Sequence, residues 1–366
     1  MISLFSPRYA KEARIIAKNA RKLLEYKRDI LGEKAAADFE ARIAALESAV
    51  KSRDAAKVEQ EARQLEERWS EALPPTPDAG WRENCEVFLV AIVIAIAVRT
   101  YFLQPFTIPT GSMQPTLNGI IGVSTGELPP NILERIWDFV ILGRSYVNVV
   151  ATEDGTVVGL TEKSPLPFLT YSKLECGPRT YIIYAPAAAL SKDFHVTWGT
   201  EYKAGEVIAR GYINAGDHVF VDKISYNFRR PDRDKVFVFK TTGILGIEKT
   251  IPGDSGSQFF IKRLAGLPGD TLQIQSPYLF INGALAKGEG FRRVMSMQGG
   301  YRGYQAVGGL SDGESVSLPP KSYFALGDNS YYSLDSRYWG GVPQENIMGY
   351  GLVVYWPFTR HWGLIK

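Results

Sequence analysis

Three short stretches hold the residues whose types and spacing offer chemistry. The first runs Pro105-Phe106-Thr107-Ile108-Pro109-Thr110-Gly111-Ser112-Met113-Gln114-Pro115-Thr116-Leu117. Its prolines fix an extended chain, and Gly111 permits a tight backbone beside Ser112, a candidate nucleophile. The second, Phe260 to Asp270, sets Lys262 among apolar neighbours at the end of a β-like run. The third, Gly327 to Arg337, is dense in small polar groups that bond locally in a tight loop. Taken singly, each also reads as structure: a serine in a turn, a lysine directed to water, a polar loop bonded to itself. Cys85 and Cys176 are too few and too far apart for a zinc site or a disulfide framework, and His195, His218 and His361 add little, so no metal, disulfide or other cofactor is expected.

In this order, the stretches closely resemble the boxes of the type I signal peptidases, membrane-bound Ser/Lys proteases that remove signal peptides from exported proteins. Four boxes carry the resemblance: an apolar helix running into Pro109 to Leu117, then Gly216-Asp217-His218-Val219-Phe220-Val221-Asp222-Lys223, then Lys262 to Asp270, then Gly327 to Arg337. It covers roughly residues 84–117 and 212–358. The resemblance implies that Ser112 is the nucleophile and Lys262 the general base and later general acid, with Ser333 hydrogen-bonded to the lysine amine. It assigns the Ser112 N–H and the Thr110 hydroxyl as oxyanion donors. Many members carry serine at that second position, and threonine keeps the hydroxyl while stiffening its rotamer. Asp328, Asp335 and Arg337 support the site, the last two as an ion pair. By the same resemblance, Phe106, Ile108, Met113, Phe260 and Ile261 would line two shallow pockets for small side chains, typically Ala, at the first and third positions before the cut. The extended substrate joins as an added strand.

The implied chemistry is coherent. A serine hydroxyl is a poor nucleophile without a base. A lysine serves as that base only if it is neutral near pH 7, which burial achieves by disfavouring the ammonium, and Ile261 and Leu264 are candidates for the dry wall. Two other readings stand beside this one. The self-cleaving SOS repressors share the β fold and the dyad but are soluble and carry a DNA-binding part. An inactive anchored binding protein would have no need to keep Ser112, Lys262, Ser333, Asp335 and Arg337 together.

The elements that must position these residues follow from composition and period. With 42 Lys plus Arg against 39 Asp plus Glu, the net charge of +3 makes no concentrated basic patch, and nucleic acid is not an expected partner. The 35 Gly and 21 Pro follow no period, which fits a turn-rich β protein. Alternation at His218–Val221, Val236–Phe239 and Leu272–Ile274 marks antiparallel strands. The expected fold is mainly β: an antiparallel catalytic body of the signal peptidase type, preceded by an α-helical N-terminal region and one transmembrane helix. The expected divisions are a helical hairpin or coiled region at 1–73, broken near Gly32 and Ser52–Asp54, and a Pro-rich linker at 74–83. A transmembrane helix follows at 84–104, then a β catalytic domain at 105–117 and 212–366, interrupted by a family-atypical insertion at 118–211.

Arg68 and Arg82 precede the apolar helix, and Gln104 to Glu134 holds no Lys or Arg, which places the N-terminus in the cytoplasm and the catalytic domain in the periplasm. Acidic residues in the N-terminal helices do not suit a transit peptide, so a single pass through a bacterial inner membrane is expected. The expected partners are preprotein signal peptides and the lipid bilayer, with secretion machinery or a cytoplasmic partner through 1–73 as a further candidate. The C-terminal Tyr355 to Trp362 combines aromatics with cations, as interfacial segments do.

Overall fold

Ala, Glu, Lys, Arg and Leu dominate the first seventy residues, and from Arg8 onward the chain there is helical. The computed structural model describes residues 8–72, 79–166, 169–244, 246–247 and 259–366; Pro74–Pro77, the core of the expected linker, lies outside them. Helix α1 (Arg8–Ser52) is interrupted at Gly32, whose φ of 74° only glycine adopts at little cost. After Arg53, Asp54 accepts from the backbone N–H groups of Ala56 and Lys57 and so caps α2 (Ala55–Ala72). The faces of α1 and α2 meet in a core of Ala13, Ala17, Leu24, Phe39, Ile43, Leu46 and Leu65. Helix α3 (Ala79–Tyr101) carries a stretch, Gly80–Tyr101, long and apolar enough to cross a membrane, with mean hydropathy 1.7 and no residue of its window buried. The chain divides into two compact units, residues up to Val93 and Ile94–Lys366.

The expected helix through residue 104 overshoots. The helical ladder ends with Phe102 N–H on the Val98 carbonyl, and β1 (Leu103–Thr107) begins at once. An apolar run has the same composition whether it continues a helix or starts a strand. Here pairing with distant residues decides the outcome.

The insertion contains β2 (Ile121–Ser124), α4 (Ile132–Leu142), β3 (Arg144–Val150), β4 (Gly155–Leu166), β5 (Leu169–Cys176), β6 (Arg179–Ile183), α5 (Ala187–Asp193), β7 (Glu201–Tyr202) and β8 (Val207–Asn214). Two small sheets, β2-β8-β3 and β6-β5-β4-β7, enclose a separate core that includes Val147, Val157, Leu174, Ile183, Leu190, Ile208 and Ile213. The boundary expected at 211/212 therefore cuts β8, and the lobe runs on to Asn214.

Beyond it come β9 (His218–Asp222), α6 (Ser225–Phe228), β10 (Val236–Lys240), β11 (Phe259–Gly266), β12 (Thr271–Gln275), β13 (Tyr278–Ile281), β14 (Ala284–Leu285) and α7 (Glu289–Met295). The chain finishes with β15 (Ser315–Ser317), β16 (Ser322–Leu326), α8 (Ser336–Trp339), β17 (Val342–Pro343), β18 (Ile347–Trp356) and β19 (Gly363–Leu364). Among the described residues the main sheet has the order β1-β9-β18-β10-β11-β16-β17, with β19 beside β18, and its pairings are antiparallel, as expected. A second sheet, β14-β13-β12-β15, has its own core around Leu272, Ile274, Phe291 and Phe324. β1 carries the chain from α3 towards Ser112, and β11 carries Lys262.

Candidate active site

Ser112 lies on a 3-10 turn, Gly111–Met113, that follows β1 directly. Several bonds fix this turn. Gln114 N–H donates to the Gly111 carbonyl at 3.1 Å, and Asn329 grips both neighbours, its side chain donating to the Gly111 carbonyl and its backbone N–H to the Ser112 carbonyl, each at 3.0 Å. Buried Met113 and Leu117 root the turn in an apolar cluster with Ile108, Val219, Val221 and Ile261.

The Gly216-Asp217 pair clamps the same segment from the other side. Asp217 is buried, its carbonyl accepts from Ile108 N–H at 2.9 Å, and its carboxylate accepts from Asn118 N–H at 2.7 Å. His361 Nδ1 lies 2.8 Å from that carboxylate and ties the C-terminal segment to it. Gly216 has no room for a side chain, since a Cβ there would overlap the Ile108 carbonyl oxygen.

Lys262 Nζ stands 2.8 Å from Ser112 Oγ, and the two residues are only 5% and 6% exposed. Its other contact is the Ile261 carbonyl at 3.2 Å. Burial pulls the lysine down from 10.5 to about 8; the carboxylates of Asp335 and Asp328 oppose the shift, and the Arg337 charge reinforces it. The aromatic wall is Phe260, whose ring centre lies 5.4 Å from Nζ. The side chain of Ile261 packs instead with Ile108 and Met113, because successive residues of a strand point to opposite faces.

Two buried ion pairs brace the surroundings. Arg337 forks onto Asp335 at 2.7 and 2.8 Å and donates further to Ser330 and to the Gln305 carbonyl. Asp335 also accepts from Gly327 N–H at 3.0 Å. Arg263 forks onto Asp328 at 2.8 and 2.6 Å, the Thr116 hydroxyl donates to the same carboxylate, and Arg263 donates to the Asp234 carbonyl. Both pairs have wholly buried side chains, so each charge depends on its partner.

The expected bond from Ser333 to the lysine amine is not formed. Ser333 is buried and its Oγ has no partner among the described residues; it lies against Gly327, where any Cβ would overlap it. Thr110 is exposed, and its hydroxyl lies 3.5 Å from Ser112 Oγ. Of the five expected pocket residues, Phe106, Ile108, Met113 and Ile261 share one cluster, whereas Phe260 packs with Phe237, Phe239 and Leu264 in the next. His218 is away from the dyad, between Thr107, Tyr355 and Trp356.

Two strand edges near the dyad lack a partner strand among the described residues. Among the described residues β1 pairs only with β9, and β16 joins β11 only from Arg263 onward, which leaves residues 259–262 open on that side. The Phe106 and Phe259 rings, 5.2 Å apart, bring the two edges together.

Sequence reasoning gave no role to Arg263, Asn329, Thr116 or His361. Arg263 carried one usable signal: a second charge next to Lys262 in an otherwise apolar strand must point to the opposite face and needs a buried anion there. The others act through contacts between residues far apart in the chain, which spacing does not encode.

A buried serine with a lysine amine at 2.8 Å on an antiparallel β body is the arrangement of a serine hydrolase. The model of the signal peptidase family, peptidase S26, matches residues 81–123 and 204–356, and the chain belongs to that family. The unmatched stretch between them falls in the inserted lobe. Signal peptidase I of Leptolyngbya laminosa is 33% identical over 148 residues, which are 40% of this chain and 64% of that protein. The probable signal peptidase I-2 of Synechocystis sp. is 31% identical over 148 residues, 40% of this chain and 59% of that protein. The chain thus spans less than two thirds of the length of these two relatives. Signal peptidase I of Pseudomonas fluorescens is 29% identical over 243 residues, 58% of this chain and 81% of that protein.

Proposed function

We propose that the chain is a membrane-anchored serine endopeptidase that removes signal peptides from exported preproteins, cutting after small residues of the Ala-x-Ala type. The observation that carries the reading is the 2.8 Å approach of Lys262 Nζ to Ser112 Oγ in a buried site that holds the lysine near 8.

The neutral amine of Lys262 takes the Ser112 proton as Oγ attacks the scissile carbonyl. The developing oxyanion is met by the Ser112 N–H and, after a small rotation, by the Thr110 hydroxyl. The lysine ammonium then protonates the leaving amine, and an acyl-enzyme on Ser112 remains. The same amine activates the water that hydrolyses it. Ser333, buried with its hydroxyl unpartnered, is assigned the orientation of the amine during these transfers. Asp328, Asp335 and Arg337 hold the loop that carries it.

The substrate enters as a strand between the open edges of β1 and residues 259–262. Ile108, Met113 and Ile261 are almost wholly buried and form a floor without depth, so large side chains are excluded. Phe106 borders the same floor, and Phe260 serves as the dry wall of the lysine. α3 is the membrane span, with the N-terminal helices in the cytoplasm and the β body in the periplasm of a bacterial inner membrane.

The test is cleavage of a synthetic preprotein with an Ala-x-Ala site by the detergent-solubilised chain. Wild type is expected to cut after the second Ala, and folded Ser112→Ala and Lys262→Ala variants to lose ~10³-fold or more. An inert wild type, or a variant that still cuts well, overturns the proposal.

A further inference from the structure

Helix α4 of the inserted lobe is turned inside out. In an ordinary surface helix the apolar stripe faces the core and the charges face water. In α4 no residue is buried, and Leu133, Ile136, Trp137 and Val140 are 48–76% exposed. The side chain that bonds the neighbouring strand of the lobe is a carboxylate: Asp138 accepts from the Tyr146 hydroxyl at 2.5 Å and lies 3.7 Å from Arg144, both on β3, while the Phe139 ring packs edge-on against Trp356. The helix is nevertheless well made. Asn131 caps its start through Glu134 N–H, and Gly143 closes its end in the left-handed conformation. Its last turn is bound to β18 and the following segment, where Trp356 Nε1 donates to the Val140 carbonyl at 2.8 Å and Phe358 N–H to the Ile141 carbonyl at 2.8 Å.

Eleven residues reach only about 16 Å, too short to cross a bilayer. Zero burial excludes a core helix. Adjacent exposed apolar side chains of this kind mark a surface that something covers. Position selects the occupant. The chain leaves α3 into β1 where Leu103 pairs with Asp222, while the strand end that holds α4 is where His218 pairs with Trp356. Four residues of β9 separate these points, about 13 Å along the sheet, which is within reach of the same headgroup layer. Trp137, 66% exposed, is a residue type that settles in that layer.

We infer that α4 lies in the headgroup–acyl boundary of the bilayer that α3 crosses, apolar side down, as a second contact between the β body and the lipid. This rests on the reading of α3 as a span, and the experiment separates the two. The full chain carrying Cys85→Ser is reconstituted in phosphatidylcholine–phosphatidylglycerol vesicles; Cys176 is buried in the lobe core and stays. Single cysteines at Trp137→Cys, Ile94→Cys and Trp198→Cys carry an environment-sensitive fluorophore. Trp198, 81% exposed elsewhere on the lobe, is the aqueous reference.

The label at 137 is expected to lose at least half its emission to lipids bearing a nitroxide near the headgroup, the label at 94 to lipids bearing it deep in the acyl chain, and the label at 198 to neither. A label at 137 as open to an aqueous quencher as the one at 198 overturns the inference. So does a blue-shifted label at 137 that no lipid nitroxide quenches, which would mean that protein, such as a second copy of the chain, covers α4. The label at 94 reads the span independently: quenched while 137 is in water, it leaves the span standing and sinks α4 alone; unquenched while 137 is quenched, it sinks the span and leaves α4 as a surface contact.

Discussion

At the scale of single residues, the cost of the site sits on Lys262. Lowering an ammonium from 10.5 to about 8 corresponds to about 3 kcal/mol at pH values where both folded and unfolded chains are protonated. The sign follows from proton counts. Between about 8 and 10.5 the unfolded chain holds a proton that the folded chain has lost, so stability rises with pH across that window and is flat below it. A Lys262→Met variant removes the ammonium at similar volume. It is expected to unfold at higher denaturant than wild type at pH 7, with the gap closing as pH climbs towards 10.5, measured by urea titration in detergent. Activity follows the same group in a lower window: kcat/KM for an Ala-x-Ala peptide is expected to rise tenfold per pH unit up to a bend near 8 and then level off. A profile flat from pH 6 to 9 would show that the neutral amine is not the base.

At the scale of elements, the serine turn owes its place to glycines where the chain is too crowded for a side chain. Gly216 lets the loop before β9 lie on the Ile108 carbonyl, so that Asp217 can bond both Ile108 and Asn118 and close the segment that carries Ser112. Gly216→Ala is expected to cost about 1–3 kcal/mol by overpacking and to lower kcat/KM, because it displaces both Ile108 on the proposed substrate floor and the turn that carries Ser112. Gly126→Ala, with nothing within 4 Å, is the matched control and should leave both unchanged. These relations explain what the sequence could and could not disclose. The alternation at residues 218–221, 236–239 and 272–274 sufficed to place strands, since period 2 is local. The end of α3 at Tyr101, the extension of β8 to Asn214 and the Arg263–Asp328 fork depend on partners a hundred or so residues away in two cases and 65 in the third, and no local pattern announces them. The order of the boxes pointed to Ser112 and Lys262, but which neighbour walls the lysine was decided by strand facing, in favour of Phe260 over Ile261.

At the scale of the whole molecule, the lobe between Ile121 and Asn214 is an appendix to the catalytic body in the energetic sense. Its core shares no residue with the clusters that hold Met113, Ile261 or Phe237. Its two ends meet: Asp217 N–H donates to the Asn118 carbonyl at 2.9 Å, and the Asp217 carboxylate accepts from Asn118 N–H, so the bonds that close the serine segment lie outside the lobe. Replacing residues 121–214 by two glycines then trades a long loop for a short one across an already closed gap, a change that loop entropy favours slightly. What is lost is the attachment of α4 to Trp356 and Phe358 and of Ala215 N–H to the Gly143 carbonyl. None of these groups touches Ser112 or Lys262. The excised chain is therefore expected to fold and to cleave a soluble Ala-x-Ala peptide within about tenfold of wild type, a difference below about 1.4 kcal/mol in the barrier. If instead peptide cleavage falls a thousandfold while the β body remains folded by circular dichroism, the lobe takes part in holding the dyad, and the independence of the two cores does not extend to the chemistry.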